Sequence, residues 1–513
     1  MGTTPDRTSR HAARRERRAE IPLAKIPFKE LRNPFPPLEI IPPEGIEKIH
    51  ESSLRLLEEV GLCVMDAEAL SLYEKAGAKV DHASQMVWID RGLLMETVAQ
   101  APAEFTWRAR NPERNVRIGS NRIALAPNVG MAYASDLDRG RRRGTTQDYE
   151  NFCKLGQMCN VIHINGGEMV ALQDTPSSIR HLRRLRANFL YTDKPIMEAL
   201  HGRIIPQDCF EMAKMVFGDI GGDPVLGGVI NCSSPLRYDD RMAGGLISYA
   251  RAGQIVIVTP FISAGAMGPI TIAGALTQQN AEALAGIALT QIVRPGAPVM
   301  YGNFTTSTDM KSGAPAFGTP EAAWATLVGA QLARRYRIPF RGSGSLNTAK
   351  VPDAQAAYES LWSAWPVMLA GAHIVLHSVG WLEGGLTASF EKWIIDAENM
   401  AMFIRFFGGF EINDDTLALD MINEVGPGGH HFGTPHTQAR FATEFHQSAL
   451  ADRLGYETWA AAGGWDAAKR ANQIWKDMLA HYEPPPLDAA LQQALAGFVQ
   501  KREKELEGKN LYD

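Results

Sequence analysis

Two glycine-rich strings carry the side chains best suited to chemistry. Residues 342–350 read GSGSLNTAK and place Ser343, Ser345, Asn347 and Lys350 together. Residues 377–387, HSVGWLEGGLT, add His377 and Glu383. Each string follows a short strand-like run (338–341 and 372–377), and a helical stretch lies between them. Strand, loop, helix, strand, loop is the rhythm of a parallel sheet. In α/β proteins, chemistry gathers just past the strand ends. The expected active site is therefore this edge. A lysine there could form a Schiff base with a carbonyl substrate. Lys350, however, lies several residues past the strand, before Val351-Pro352-Asp353, and reads more readily as a surface or helix-entry residue.

A third string, GPGGHHFGTPHTQAR at 426–440, holds His430, His431 and His436. A mononuclear metal site would want a further ligand, and the five cysteines contain no CxxC pair, so no bound metal is expected. Gly428 and Gly429 instead suggest backbone brought close to a large flat group or an anion, with His430 as donor. Small and hydroxyl residues also recur at strand ends: 231–234 (NCSS), 263–268 (SAGAMG), 305–308 (TTST) and 342–345 (GSGS). Such a floor, with Gly342, Ser343, Gly344 and Ser345 at its centre, leaves an open mouth for a bulky cofactor. Aromatic residues lie near the same edge, among them Tyr301, Phe304, Phe340, Trp362, Trp365 and Trp381. Some are core. Others, with Glu168, Glu198 or Glu383, would form a cage for a quaternary ammonium through cation–π attraction.

The elements that must position these loops follow from periodicity. From about residue 148, helical stretches alternate with seven strand-like segments: VIHINGG, KPIMEAL, VLGGVINCSSP, QIVIVTPF, PVMYGNFTTST, IPFRGSGS and AHIVLHSVG. An eighth strand is expected from the 120s or from 425–429. The expected fold is α/β, a (β/α)8 TIM barrel with an N-terminal helical cap and a C-terminal helical extension. An open doubly wound sheet is the alternative, although no GxGxxG follows an early strand. Residues 1–30, with six arginines between Arg7 and Arg18, read as a disordered basic tail. Residues 31–118 read as the cap, 119–450 as the barrel domain and 451–513 as terminal helices. Across the boundary between cap and barrel, 105–126 alternates like antiparallel strands.

Composition narrows the class. A net charge of −5 argues against a nucleic-acid partner. An odd number of cysteines argues for reduced thiols in a cytoplasm. No apolar run approaches the roughly 20 residues of a membrane helix.

Several long strings then fall in a recognisable order: NPFPPLEIIPPEGIEKIHESSLRLLEEVGL, DLDRGRRRGTTQDYENFCKL, YGNFTTSTDMKSGAPAFGTPE, GSGSLNTAKVPDAQAAYES, GAHIVLHSVGWLEGGLT and INDDTLALDMINEVGPGGHHFGTPHT. In these the chain resembles the trimethylamine methyltransferase-like family of corrinoid-dependent methyltransferases, over nearly all its length except the basic tail. Archaeal trimethylamine enzymes carry pyrrolysine where this chain has Gly344-Ser345-Leu346-Asn347. The resemblance is thus to the non-pyrrolysine branch, which demethylates quaternary amines such as glycine betaine, proline betaine and carnitine. It implies a cobalamin-type corrinoid whose Co(I) attacks the methyl carbon. A separate corrinoid protein would present it, since no DxHxxG motif occurs here. It also implies His377 beside the cobalt and the substrate, and a homo-oligomer. By chemistry and position, Glu383 is expected to face the ammonium, and Arg341 or His431 to receive a betaine carboxylate. Tyr301, Phe340 and Trp381 are expected around the substrate. Two other classes stay open: a Schiff-base aldolase or lyase built on Lys350, and a protein that binds a corrinoid or betaine without turnover.

Overall fold

A computed structural model describes residues 22–511, so the arginine-rich run at 7–18 lies outside the described residues. Eight parallel strands carry the fold. They are β1 Arg122–Leu125, β2 Asn165–Gly166, β3 Ile196–Met197, β4 Leu226–Ile230, β5 Ile255–Val258, β6 Val299–Gly302, β7 Phe340–Ser343 and β8 Ile374–Leu376. They pair in sequence order from β2 to β8, and β8 then pairs with β1. A ninth strand, Leu31–Arg32, lies antiparallel on the far side of β1. The seven strand-like segments read from the sequence each supply one strand, and the 120s supply the eighth.

The sheet curls. Ala124 of β1, Met197 of β3, Ile257 of β5, Met300 of β6 and Leu376 of β8 meet in one buried apolar cluster on its concave side. Strands next to both ends of the hydrogen-bonded order, β1 and β3, contribute to it, which a flat sheet would prevent. Between β1 and β2, the amides of His163 and Ile164 both donate to Leu125 O, at 2.8 and 3.2 Å. The hairpin Phe105–Trp107/Val116–Ile118 fills the concave space from the strands' N-terminal side. Its Trp107 Nε1 donates to Val225 O at 3.2 Å. A Cβ on Gly227 of β4 would stand 2.5 Å from the Trp107 ring, so only glycine fits there. Of the segments read as antiparallel in 105–126, the first two form this hairpin. The third is β1, parallel to β8.

Helices cover the convex side: α1 Thr146–Met158, α2 Arg180–Tyr191, α3 Ile204–Phe217, α4 Asp240–Arg251, α5 Ile272–Val293, α6 Pro320–Arg335, α7 Ala354–Leu369 and α8 Phe390–Phe407. The long α5 is buried along most of its length. Its outer side is covered by the N-terminal helices Pro43–Arg55, Ala67–Ala76 and Arg91–Val98. That unit therefore sits on the flank of the sheet rather than over an end. Helix Ala467–Ala480 packs on α8, and Ala489–Leu506 on α2 and α3. Among the described residues, no helix is long and apolar enough to cross a membrane.

Candidate active site

Two loops, leaving the C-terminal ends of β7 and β8, are bonded to each other. Gly344 N donates to Leu376 O at 2.7 Å and Ser345 N to His377 O at 2.8 Å. Ser345 Oγ donates to Ser378 O at 2.8 Å. Further out, Asn347 Nδ2 donates to Trp381 O at 2.5 Å while Trp381 Nε1 donates to Asn347 O at 3.0 Å. The β8 loop is also tied to β1: His377 N donates to Pro127 O at 3.2 Å and Ser378 N to Ala126 O at 3.0 Å. This frame holds His377 in the left-handed region at φ 58°. A non-glycine residue keeps such a backbone only where its surroundings over-determine it.

Within the frame, Arg341 is buried, and Nη1 donates to Asn303 O at 3.3 Å. Its Nε has no partner, and among the described residues no carboxylate pairs with the guanidinium. Burial alone pulls its pKa from 12.5 down to about 9, because nothing anionic offsets the desolvation. Arg341 lies 5.4 Å from the centre of the Phe304 ring. Phe304 in turn meets Phe317 (5.6 Å), Trp381 (6.1 Å) and His377 (5.6 Å). Trp381 stands edge-on to His377 at 4.6 Å and to Phe317 at 5.5 Å. Three aromatic rings, one imidazole and one unpaired guanidinium thus share a small space. Asn303, Phe304, Thr305, Phe317, Ser343 and Leu346 line an adjoining cavity. Two hydroxyls of that lining, Thr305 Oγ1 and Ser343 Oγ, are buried without a partner. Native interiors rarely leave such groups unpaired unless a ligand or water meets them.

His377 is neutral here. Burial, and then the charge of Arg341, drive its pKa well below 6.5. Its Nδ1 accepts from Val129 N at 3.4 Å, which leaves Nε2 as the nitrogen that carries the proton. The side chain is therefore a donor at Nε2, not a charge.

Other expected residues fall elsewhere. Tyr301 and Phe340 point to the convex side, into the helix layer: Tyr301 Oη donates to Gln279 Oε1 (2.9 Å) and Asn280 Oδ1 (3.0 Å) of α5, and Phe340 packs beside it. Their neighbours Met300 and Arg341 take the concave side. Gly342 also faces the helices, where a Cβ would meet Val367 of α7 at 2.4 Å. Gly344 is needed for the close approach of the two loops, since its Cβ would lie 3.1 Å from Ser378 Cα. Glu383 sits at the rim but is not a free carboxylate. Arg141 grips it with two bonds (2.6 and 3.1 Å) and Thr387 Oγ1 donates at 2.6 Å. Partial burial would raise its pKa, yet these contacts hold it below 4.5. Gly428, Gly429, His430 and His431 are exposed, in a segment that leaves the end of α8, and none bonds to the loops around His377. Lys350 is exposed, its ammonium donating to Thr348 O at 2.8 Å. That is not the desolvated pocket of a Schiff-base lysine.

Past β2 and β3, Arg184 bonds both Glu198 (2.8 Å) and Glu168 (3.0 Å), so one guanidinium faces two carboxylates and negative charge remains. Among the described residues, no group of three or more His, Cys, Asp or Glu side chains could hold a metal.

Four contributors were not among the expected residues. Phe317 lies in an ordinary-looking turn, though its place near TTST was a usable signal. Arg141, from the string RGRRRG, stacks over Tyr133 at 3.5 Å and neutralises Glu383. Lys392 and Asp396 form a buried ion pair on α8. Lys392 Nζ donates to Ser360 Oγ at 2.8 Å, and Ser360 Oγ to Ser345 O at 3.0 Å. Asp396 accepts from Gly380 N at 2.9 Å. The pair thus holds both loops from behind.

Comparison with known proteins gives a consistent set of relatives. The family profile "Trimethylamine methyltransferase (MTTB)" matches residues 7–507. A glycine betaine methyltransferase of Desulfitobacterium hafniense is 40% identical over 475 residues, covering 92% of this chain and 98% of that one. A trimethylamine methyltransferase MttB from another strain of D. hafniense is 32% identical, covering 90% and 93%. The trimethylamine methyltransferase MttB2 of Methanosarcina mazei is 28% identical, covering 91% and 96%.

Proposed function

The chain belongs to the trimethylamine methyltransferase family, and on that premise we propose that it moves a methyl group from glycine betaine, or a closely related betaine, to the corrinoid of a partner protein. The observation that carries this reading is Arg341. A buried guanidinium without an anion, set beside three aromatic rings, matches a zwitterion with a carboxylate at one end and a quaternary ammonium at the other. Arg–carboxylate recognition is charge-assisted and geometrically specific. Each ring facing the ammonium adds about 0.5–2 kcal/mol of cation–π attraction. The 40% identity to a glycine betaine methyltransferase supports the same substrate class.

The reaction breaks one N–CH3 bond. Its electron pair stays on nitrogen, which becomes a neutral tertiary amine, so no proton has to be delivered. A reduced corrinoid supplies the attacking electron pair when its protein docks at the mouth. The chain's own residues bind, orient and exclude water. Arg341 anchors the carboxylate, while Phe304, Phe317 and Trp381 hold the ammonium. His377 offers a proton at Nε2 to a water or substrate oxygen close to the reacting methyl. The unpartnered hydroxyls of Thr305 and Ser343 are free to meet substrate or the cofactor's edge. Glu168 and Glu198, sharing one arginine, leave the negative charge that favours a cation at this mouth.

In this reading the curled sheet closes as a (β/α)8 barrel, an arrangement favoured by the sequential strand order and the two bonds across the β1–β2 seam. Residues 31–118 then form an N-terminal unit, 119–450 the catalytic domain and 451–513 terminal helices. All five cysteines are free, which suits the cytoplasm.

The test mixes the protein with fully reduced cobalamin and each of glycine betaine, proline betaine, carnitine and trimethylamine, following the visible spectrum. Methylated cobalamin is expected with a betaine. Trimethylamine has no carboxylate and leaves Arg341 unpaired, so it should be slower by roughly 10²–10⁴-fold. Equal rates with trimethylamine, or no methyl transfer from any carboxylated amine, would overturn the reading.

A further inference from the structure

After α8 the chain runs out into an arm and comes back to the same helix. At its root, Arg405 donates to Gly409 O (3.1 Å) and to Glu444 O (2.9 Å). Glu398 accepts from Ala449 N at 3.0 Å and meets His446 Nε2 at 2.9 Å. Between these anchors lie three short helices, Asp414–Leu417, Leu419–Val425 and Pro435–Arg440. No residue from 408 to 449 is buried. Among the described residues, the hydrogen bonds and ion pairs made by residues 410–443 stay within that stretch, apart from Glu444 N donating to Arg440 O at 2.9 Å where the arm returns. Yet Phe410, Ile412, Phe432, Phe441 and Phe445 are each 69–89% exposed. A segment that orders its backbone without a core of its own must bury such side chains against something else.

The same molecule carries a second uncovered apolar surface beside the arm's root. Tyr358, Trp362 and Trp365 recur at helical spacing along the outer side of α7, and Met402 and Phe406 continue the stripe on α8. All five are 41–61% exposed. The Trp365 ring stands 5.4 Å from that of Phe406. Aromatic side chains on the outer side of a covering helix are out of place in a lone subunit.

We propose that residues 409–445 form an exchange arm that packs its phenylalanines on the α7–α8 stripe of a second copy of this chain, whose arm returns the contact. A donor patch and an acceptor patch on one chain are satisfied reciprocally by a two-fold axis. The area agrees. Five side chains of this kind, mostly exposed, offer roughly 600–900 Å², close to the ~800 Å² that each partner gives a stable interface. Place argues for a copy over a corrinoid protein. Phe406 and Phe407 touch Phe35 (5.4 and 6.0 Å), which follows the strand paired with the start of β1. The root therefore lies towards the strands' N-terminal ends, away from the loops holding His377. The proposal holds whether or not the methyl-transfer reading does.

Sedimentation velocity on the full chain at micromolar concentration tests this. The wild type should run at twice the 56.2 kDa chain mass or a higher even multiple. The doubly substituted arm protein F410E/F432E and the stripe variant Trp362→Glu should each fall to half the wild-type mass or less, with an unchanged far-ultraviolet circular dichroism spectrum. To guard against misfolded variants, a photo-crosslinking phenylalanine at position 432 is placed in unlabelled protein mixed with ¹⁵N-labelled wild type. Light-to-heavy cross-links reaching peptides within 354–369 are expected. A monomeric wild type, variants that keep the parent mass, or cross-links confined to one copy would each refute the proposal. So would arm variants that keep their mass but lose transfer to protein-bound corrinoid alone, which would assign the arm to that partner.

Discussion

The glycine-rich strings 342–350 and 377–387 on one side, and 426–440 on the other, look alike in composition and behave as opposites in the structure. The first pair of loops hangs from adjacent parallel strands and is laced together by main-chain bonds, so His377 is buried at a fixed angle. The second follows the end of a helix, and His430 and His431 stand in solvent. Residue type offers chemistry to both. Only anchoring to the sheet turns the offer into a site, because a ligand needs partners whose positions do not have to be bought with fresh conformational entropy.

The largest effect should come from removing what stands behind the rigid loops. Asp396→Asn leaves Lys392 buried with no counter-charge, and breaking a buried pair from one side costs about 3–5 kcal/mol. Urea unfolding of the variant should show that loss. A loss under 1 kcal/mol would mean that the loops hold themselves, which weakens the contrast. Next comes Arg341→Met. Without its guanidinium, kcat/KM for glycine betaine should fall by roughly 10²–10³-fold. The ligand-free variant should nevertheless gain about 1–3 kcal/mol of stability, since it no longer buries an unpaired charge. A melt showing the variant both inactive and less stable would mark Arg341 as a packing residue only.

Acid should separate the two regions as well. His163 accepts from Leu125 N at the β1–β2 seam, and burial lowers its pKa from 6.5 to about 4. Burial also lowers His373 and His377. Above pH 6.5 such a histidine is neutral in both folded and unfolded chains. As pH falls below 6.5 the unfolded chain takes up the proton first, so stability present above 6.5 drains away until the folded pKa, near 4 for His163, is reached. His163 alone should account for a loss on the order of 2–3 kcal/mol between pH 6.5 and 4.5. Denaturant titrations at the two pH values check this, and His163→Gln should flatten the difference.

How far the sequence could be read follows from the same contrast. Strand segments were legible because apolar runs between helical stretches leave few choices, and the order of the loops along the mouth came with them. Facing was lost. Phe340 and Arg341 are both expected at the substrate, yet consecutive strand residues point to opposite faces, and only Arg341 reaches the concave side. Tyr301 fails in the same way, one residue after Met300. The pairing of Glu383 with Arg141, far apart in the chain, depends on the small sheet that joins Trp381–Leu382, Thr387–Ser389, Tyr133–Asp136 and Gly140–Arg143. Nothing local announces it. The third alternating segment before residue 126 shows a further limit: alternation marks a strand, but its direction is set by β8, far away in sequence.

The smallest predicted effect is also the sharpest for the comparison. If anchoring rather than composition makes the site, the double variant H430A/H431A should transfer methyl groups to free cobalamin within about twofold of wild type, and its stability should change by less than about 0.5 kcal/mol, as for other exposed positions. His377→Ala, one imidazole instead of two, should cost at least tenfold through the lost donor at Nε2. Both proteins are measured in one assay, with glycine betaine varied at saturating cobalamin. A large defect in the arm variant would require residues 430–431 to reach the mouth during turnover. That motion would need the bonds of Arg405 to Glu444 and of Glu398 to His446 to open, and charge reversal at Glu398 would then imitate the defect.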